Sequence, residues 1–144
     1  MLTKSQICAY QAPHDLLKNH VILVTGAGSG IGKAVALASA KCGATLLLAG
    51  RTPAKLERTY DAIANSGGPG AVICPINLEG ADADDFEKLN AEIESQFGRL
   101  DGLVNNAGIL GQRTPLNHYK ADLWESVIKT NVSAQYQLTQ ALMP

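Results

Sequence analysis

The sequence is poor in the features that mark specialised folds. No apolar run approaches the roughly 20 residues that a bilayer-spanning helix needs, and residues 1–20 lack the basic start and apolar centre of a secretion signal. Neither charge dominates: 12 Lys and Arg stand against 13 Asp and Glu, for a formal net charge of −1, and the basic residues are scattered. The electrostatic footprint of a nucleic-acid binder is therefore missing. Cysteine is scarce. Cys8, Cys42 and Cys74 are odd in number, widely spaced and outside any metal-ligand pattern, so neither a disulfide framework nor a metal site is expected. Free thiols suit a reducing compartment, and a cytoplasmic location is the expectation. No repeat, linker or low-complexity stretch divides the chain. With 46% hydrophobic residues in 144, there is enough apolar material for one globular core.

What is present is an alternation of two kinds of segment. Val21-Ile22-Leu23-Val24 is a short continuous apolar run of the kind a strand buried on both faces requires. A helix is predicted from about Ile31 to Cys42, with Ile31, Val35 and Ala38 at helical spacing among Ala34, Ala36 and Ala40. A second strand is expected near Thr45–Ala49. Pro53 then opens a helix carrying Leu56, Tyr60 and Ile63 on one side and ending in the breaker run from Asn65 to Gly70. Ala71–Ile76 reads as a third strand. Phe86, Leu89, Ile93 and Phe97 mark an amphipathic helix that stops at Gly98, and Leu100–Val104 reads as a fourth strand. A polar loop through Gly111 and Pro115 leads to a helix from about Ala121 onward. Residues 1–18 read as an arm. Strands separated by single helices imply an α/β fold, a doubly wound parallel sheet with right-handed crossovers and helices on both faces.

The strand-to-helix turn after the first strand carries Thr25-Gly26-Ala27-Gly28-Ser29-Gly30-Ile31-Gly32. The first amides of a helix have no internal partners and, with the helix dipole, make a site for phosphate oxygens. Gly26 suits a tight turn, Gly28 and Gly30 are expected to remove Cβ atoms that would hold a pyrophosphate away, and Gly32 lets the helix pack close to the strand. In this context the glycines point to a dinucleotide. A second motif, Asn105-Asn106-Ala107-Gly108, follows the fourth strand at the same end of the sheet. Gly108 permits close backbone approach. The amides of Asn105 and Asn106 can either bond neighbouring backbone or meet a ligand, and both roles can hold at once.

With those residues in place, the chain resembles the short-chain dehydrogenase/reductase family from about Leu17 onward. Thr25–Gly32 matches the family's Thr-Gly-x-x-x-Gly-x-Gly motif, and residues 105–108 match its Asn-Asn-Ala-Gly motif. Leu100–Val104, Trp124 and Thr130-Asn131-Val132 also fit. Gly108–Gly111 and Leu138–Pro144 look most like a bacterial subgroup named for YciK. The resemblance implies a partial Rossmann-type domain of about four strands in the order 3-2-1-4. It also implies a nicotinamide cofactor held by Thr25, Gly26, Gly28, Ser29, Gly30, Ile31, Gly32, Asn105, Ala107 and Gly108. Where an acid after the second strand would bond ribose hydroxyls and repel a 2′-phosphate, this chain has Gly50-Arg51-Thr52. NADP(H) is therefore expected over NAD(H), with Arg51 forking onto the phosphate and Thr52 beside it. The alternative is a solvated arginine. At the position of the family's adenine-binding acid stands Asn77, followed by Leu78, either an adenine contact or a turn residue. Asn131 corresponds to the asparagine of the family's Asn-Ser-Tyr-Lys tetrad, which holds a water leading to the catalytic lysine. Trp124, Val127, Ile128 and Asn131 share one helical face, so its amide is expected along an apolar stripe, and a buried structural asparagine is the other reading.

The serine and the Tyr-x-x-x-Lys pair of that tetrad are not among these residues: Tyr119, Lys120, Lys129 and Tyr136 have the wrong spacing. The expectation is a cofactor-binding part of an enzyme that interconverts an alcohol and a carbonyl, inactive by itself, without nucleic-acid or membrane partners and a homo-oligomer when intact. A non-catalytic NADP-binding module or sensor subunit is the alternative. A methyltransferase fits neither motif.

Overall fold

The computed structural model describes residues 10–143; Cys8 and the first half of the expected arm lie outside them. Four strands and five helices alternate as β1 (Val21–Thr25), α1 (Gly30–Lys41), β2 (Thr45–Gly50), α2 (Pro53–Asn65), β3 (Ala71–Pro75), α3 (Ala83–Phe97), β4 (Gly102–Val104), α4 (Ala121–Ile128) and α5 (Ala134–Leu142). A short 3₁₀ turn at Leu116–His118 precedes α4, and a π-helical turn at Lys129–Ser133 joins α4 to α5. The strands form one parallel sheet in the expected order β3-β2-β1-β4.

Alternation along the strands assigns the two layers. Ile22, Val24, Leu46 and Leu48 face α1 and α2, meeting Ala36, Ala40, Leu56 and Ile63. Val21, Leu23, Leu47 and Ala49 face the other way, toward Ile93, Leu89 and Phe97 of α3. A third cluster of Leu78, Ala81, Phe86, Ala134 and Leu138 locks α3 against α5. The periodic apolar residues of α3 are thus its packing face, and Asp82 and Asp85 close its start with a reciprocal capping box.

Three details depart from the sequence expectation. The buried face of α1 is Gly32, Ala36 and Ala40, whereas Ile31 is 75% exposed and Ala38 also faces out. Small side chains win that face because the helix lies close to the sheet. In α2 the buried position beside Leu56 and Ile63 is Thr59, and Tyr60 turns outward. The Thr59 hydroxyl can be buried because it sits 3.0 Å from the Ala27 carbonyl and 3.2 Å from that of Lys55. The long helix read from Ala121 onward is interrupted by the π turn, whose closing bond runs from the Ala134 amide to the Lys129 carbonyl.

The end of the arm is built into the domain. A turn from Pro13 to His20, with Asn19 at φ 65°, brings the Leu17 amide to the Cys42 carbonyl at 2.8 Å and its side chain onto the first core layer. Among the described residues Cys42 and Cys74 are free thiols. Burial, reinforced by Glu92, pushes the Cys74 thiol up to about 11.

β1 and β4 are pinned at their starts by Asp101. Its carboxylate accepts from the Val21 amide at 2.8 Å, its own amide donates to the Val21 carbonyl at 2.9 Å, and Arg99 Nε holds the carboxylate at 2.9 Å. The Arg99 hydrogen bond, then the Val21 amide, hold this carboxyl below its ordinary range. An unfolded aspartate titrates near about 3.9. The unfolded chain therefore takes up the proton first as pH falls, so the contribution is present above that value and lost as pH drops through the lower folded one. Asp101→Asn should reduce the steepness with which stability falls between neutral and acid pH; urea melts across that range with identical slopes for variant and wild type would contradict the assignment.

Candidate functional site

At the carboxyl ends of the strands the loops after β1, β2, β3 and β4 enclose a crevice of about 260 Å³. Its foundation is the join between β1 and β4. The buried Thr25 hydroxyl donates to the Val104 carbonyl at 3.1 Å and accepts from the amides of Asn106 and Ala107, both at 2.9 Å. Asn106 Nδ2 donates back to the Thr25 carbonyl at 2.9 Å. Every bonding position of the Thr25 side chain is thereby used by protein, so Thr25 shapes the crevice wall and has no hydrogen bond left to offer a ligand. Asn106 has the structural role of its two readings.

The motif glycines divide by purpose. Gly26 has φ +67°, a conformation open to glycine at little cost, and turns the chain out of β1. A Cβ on Gly32 would lie 2.4 Å from the Gly26 carbonyl oxygen and 2.5 Å from Asn106 Nδ2, so this glycine does set the helix close to the strand. Gly28 differs from expectation: a Cβ there would lie 2.8 Å from Lys55 Cβ, so its bareness admits α2 rather than a pyrophosphate. Gly30, at φ +54°, has nothing within 4 Å of such a Cβ and faces open space. Ser29 is the N-cap of α1, yet its side chain makes no capping bond and no acid stands in the first turn. The leading amides of α1 thus remain unpaired within the helix and unneutralised by carboxylate.

A second helix start meets the same crevice. Thr52 is the N-cap of α2, again without a side-chain capping bond and with no acid in the first turn. Arg51, Thr52 and Lys55 line the wall, and among the described residues the only ion pairs are Lys88–Asp85 and Arg99–Asp101, so both cations are uncommitted. Lys55 was missed in the sequence, although its place four residues after Arg51 at a helix start was a visible signal. Asn77, Leu78 and Glu79 also line the crevice. The Asn77 carbonyl accepts from the Gly80 and Ala81 amides at 3.1 and 2.9 Å, which is the turn role, while its side-chain amide makes no hydrogen bond among the described residues. The Leu78 side chain is buried in the third cluster. Glu79 accepts a bond from Ser126 Oγ, tying this loop to α4.

Asn131 makes a two-bond clamp. Its Oδ1 accepts from the Ile109 amide at 2.8 Å and its Nδ2 donates to the Ile109 carbonyl at 2.9 Å. The amide therefore finds its partner in backbone, while the residue is exposed rather than set along an apolar stripe, and Trp124 is 55% exposed, edge-on to Tyr119. These two bonds use one donor and one acceptor position of the amide and fix its orientation. Asn105 is also turned away: its Nδ2 donates to Thr139 Oγ1 at 2.9 Å. Of the expected residues, Thr25, Gly26, Gly28, Ser29, Arg51, Thr52, Asn77, Leu78, Ala107 and Gly108 line the crevice. Gly30, Ile31, Gly32, Asn105 and Asn131 do not. Ile109 and Thr130, unanticipated, do.

A parallel sheet with these two loops has relatives. The short chain dehydrogenase family model matches residues 20–144. The chain belongs to the short-chain dehydrogenase/reductase family. It is 37% identical over 135 residues to the uncharacterized oxidoreductase YciK of Escherichia coli K12, covering 94% of this chain and 54% of that one. Among solved structures, a Pseudomonas syringae protein proposed to be a short chain dehydrogenase superposes with TM-score 0.91 at 47% identity, covering 94% of this chain and 55% of its own. A chain from Escherichia coli CFT073, solved in complex with NADPH, gives TM-score 0.85 at 37% identity, with 90% and 54% covered. This short-chain dehydrogenase/reductase chain thus spans about half the length of the relatives it matches. The resemblance to YciK read from Gly108–Gly111 and Leu138–Pro144 agrees with these matches.

Two glycines separate packing from ligand access. Gly32→Ala should destabilise the domain by about 2–4 kcal/mol, because a backbone oxygen must move. Gly30→Ala should cost only the left-handed backbone, about 1–2 kcal/mol. Urea unfolding of the two variants tests the ranking; equal losses would contradict the close approach of α1 to the sheet. At the join, Thr25→Val strands the Asn106 and Ala107 amides and should cost about 2–4 kcal/mol, with Thr25→Ser retaining most of the stability. Comparable losses for the two would show that the hydroxyl does not make this join.

Proposed function

We propose that the intact protein is an NADP-dependent oxidoreductase interconverting an alcohol and a carbonyl, and that residues 20–144 form its cofactor half. The observation that carries this reading is the convergence on one crevice of two uncapped helix starts, with no carboxylate in either first turn and two uncommitted cations between them. Such a surface suits a ligand with two separate anionic groups. Ser29 and the leading amides of α1 would meet the diphosphate. Arg51 and Thr52, with Lys55 alongside, would meet the 2′-phosphate, and Asn77 and the backbone of Leu78 the adenine. The NADPH-bound relative supports the choice of cofactor. Gly30 fits because the space a side chain would occupy there is open.

The bound cofactor would supply the hydride. The matching proton for the developing alkoxide requires a donor, and no tyrosine among the 144 residues is followed four positions later by lysine. These residues alone should therefore bind NADPH without reducing a carbonyl. Asn131 would serve the reaction as a positioning residue, holding the loop after β4 through Ile109. A cytoplasmic setting suits the free thiols, and no helix among the described residues is long and apolar enough to cross a membrane. Self-association of the intact protein would use the exposed Trp124, Val132 and Tyr136 along α4 and α5. A non-catalytic NADP-binding subunit makes the same crevice but needs no proton donor, so turnover of carbonyl compounds by the full-length polypeptide separates the two.

Arg51→Ala tests the cofactor assignment. Loss of a charge-assisted contact should weaken NADPH by about ten- to a hundredfold while NADH changes little. Titration calorimetry showing equal losses for both nucleotides would remove the phosphate role.

A further inference from the structure

Three polar side chains among the buried residues are threonines: Thr25, Thr59 and Thr130. The first two have their hydroxyls bonded, as described above. Thr130 does not. It is 6% exposed, yet its Oγ1 has no hydrogen-bond partner. A helical threonine ordinarily satisfies itself on the carbonyl four residues back. Thr59 does this at 3.2 Å and Thr139 at 2.7 Å, but Thr130, within the π turn, does not. Gln135 and Gln137 also carry an unpartnered buried oxygen, but neither lines the crevice, and the Gln135 amide nitrogen is already bonded to the Ala107 carbonyl. Thr130 lines it.

Its place in that crevice is fixed from two sides. Next to it in the chain, Asn131 grips Ile109 in the loop after β4. One turn earlier, Ser126 holds Glu79 in the loop after β3. Thr130 therefore sits where the helix closes over the gap between those loops, beside the Asn77–Glu79 wall. Leaving a hydroxyl buried without a partner is unfavourable, and a polar group arriving in the crevice from outside the fold would meet it.

We propose that Thr130 is a further nucleotide-binding residue, whose hydroxyl hydrogen-bonds the adenosine half of the cofactor from the helix side of the crevice. This rests on the dinucleotide reading of the same site and adds to it a contact made by the α4–α5 run. The π turn is then the device that withholds the hydroxyl from its own helix and frees it for ligand.

The test compares wild type, Thr130→Val and Thr130→Ser by calorimetry with NADPH, 2′,5′-ADP and nicotinamide mononucleotide. Thr130→Val keeps the shape and removes the hydroxyl. It should weaken NADPH and 2′,5′-ADP about three- to tenfold, leave nicotinamide mononucleotide unchanged, and raise the melting temperature of the ligand-free protein, because a stranded polar group has gone. Thr130→Ser should bind like wild type. If Thr130→Val binds both adenine nucleotides as tightly as wild type, the inference fails while the dinucleotide reading stands; a water held by Thr130 without nucleotide contact would give that result. If wild type itself binds neither NADPH nor 2′,5′-ADP, both fail. Should the valine variant not fold, threonine-methyl NMR of the wild type decides. The Thr130 methyl must shift with 2′,5′-ADP at the same affinity as the motif amides, and a stationary resonance overturns the contact.

Discussion

The four hydrogen bonds that join the end of β1 to the end of β4 and the loop after it are the constraint on which the site depends. Thr25 spends its hydroxyl on Val104, Asn106 and Ala107, and Asn106 returns a bond to the Thr25 carbonyl. These bonds bring together two loops separated by some eighty residues of chain. Asn106, so held, lies where any side chain on Gly32 would intrude. The distance of α1 from the sheet therefore follows from the same few contacts. The crevice is a consequence of how β1 and β4 are joined.

Electrostatics then give the crevice its character. Helix starts are normally neutralised by a capping side chain or an acid in the first turn, as α3 shows with Asp82, Asp84 and Asp85. α1 and α2 have neither, and both begin at the crevice. The start of α3 is fully capped, that of α4 has no capping bond but carries Asp122 in its first turn, α5 continues directly from the π turn, and the two starts at the crevice have neither cap nor acid. That contrast within one chain supports an anionic ligand more strongly than the glycine pattern alone. The wall formed by Asn77 and Glu79 carries no cation: Glu79 is a carboxylate held by Ser126, and Asn77 presents a polar edge. The two walls thus suit the two ends of a phosphorylated nucleoside.

The layers of the fold were legible because they rest on short-range pattern: buried parallel strands are continuous apolar runs, and α3 displays its packing face at helical spacing. Less legible was anything decided by what approaches from elsewhere in the chain. Ile31 has the spacing of a core residue but faces outward, since the sheet lies too near for a large side chain on the inner face. Gly28 belongs to a phosphate motif and yet makes room for Lys55, a neighbour 27 positions along. Asn105 and Asn106 are adjacent and chemically identical, and the sheet sends one to α5 and the other to β1. The π turn has no signature in the residue pattern, so neither the clamp of Asn131 on Ile109 nor the orphaned hydroxyl of Thr130 could be read before the fold was seen.

The central claim is that the unpaired amides at the start of α1 hold a diphosphate. The most direct measurement follows the backbone amide resonances of the chain while ADP is added. The amides from Ser29 to Gly32 are expected to move together with a single affinity, while those of the capped start of α3 stay in place. Stationary amides across Ser29–Gly32, with or without changes elsewhere, would contradict it.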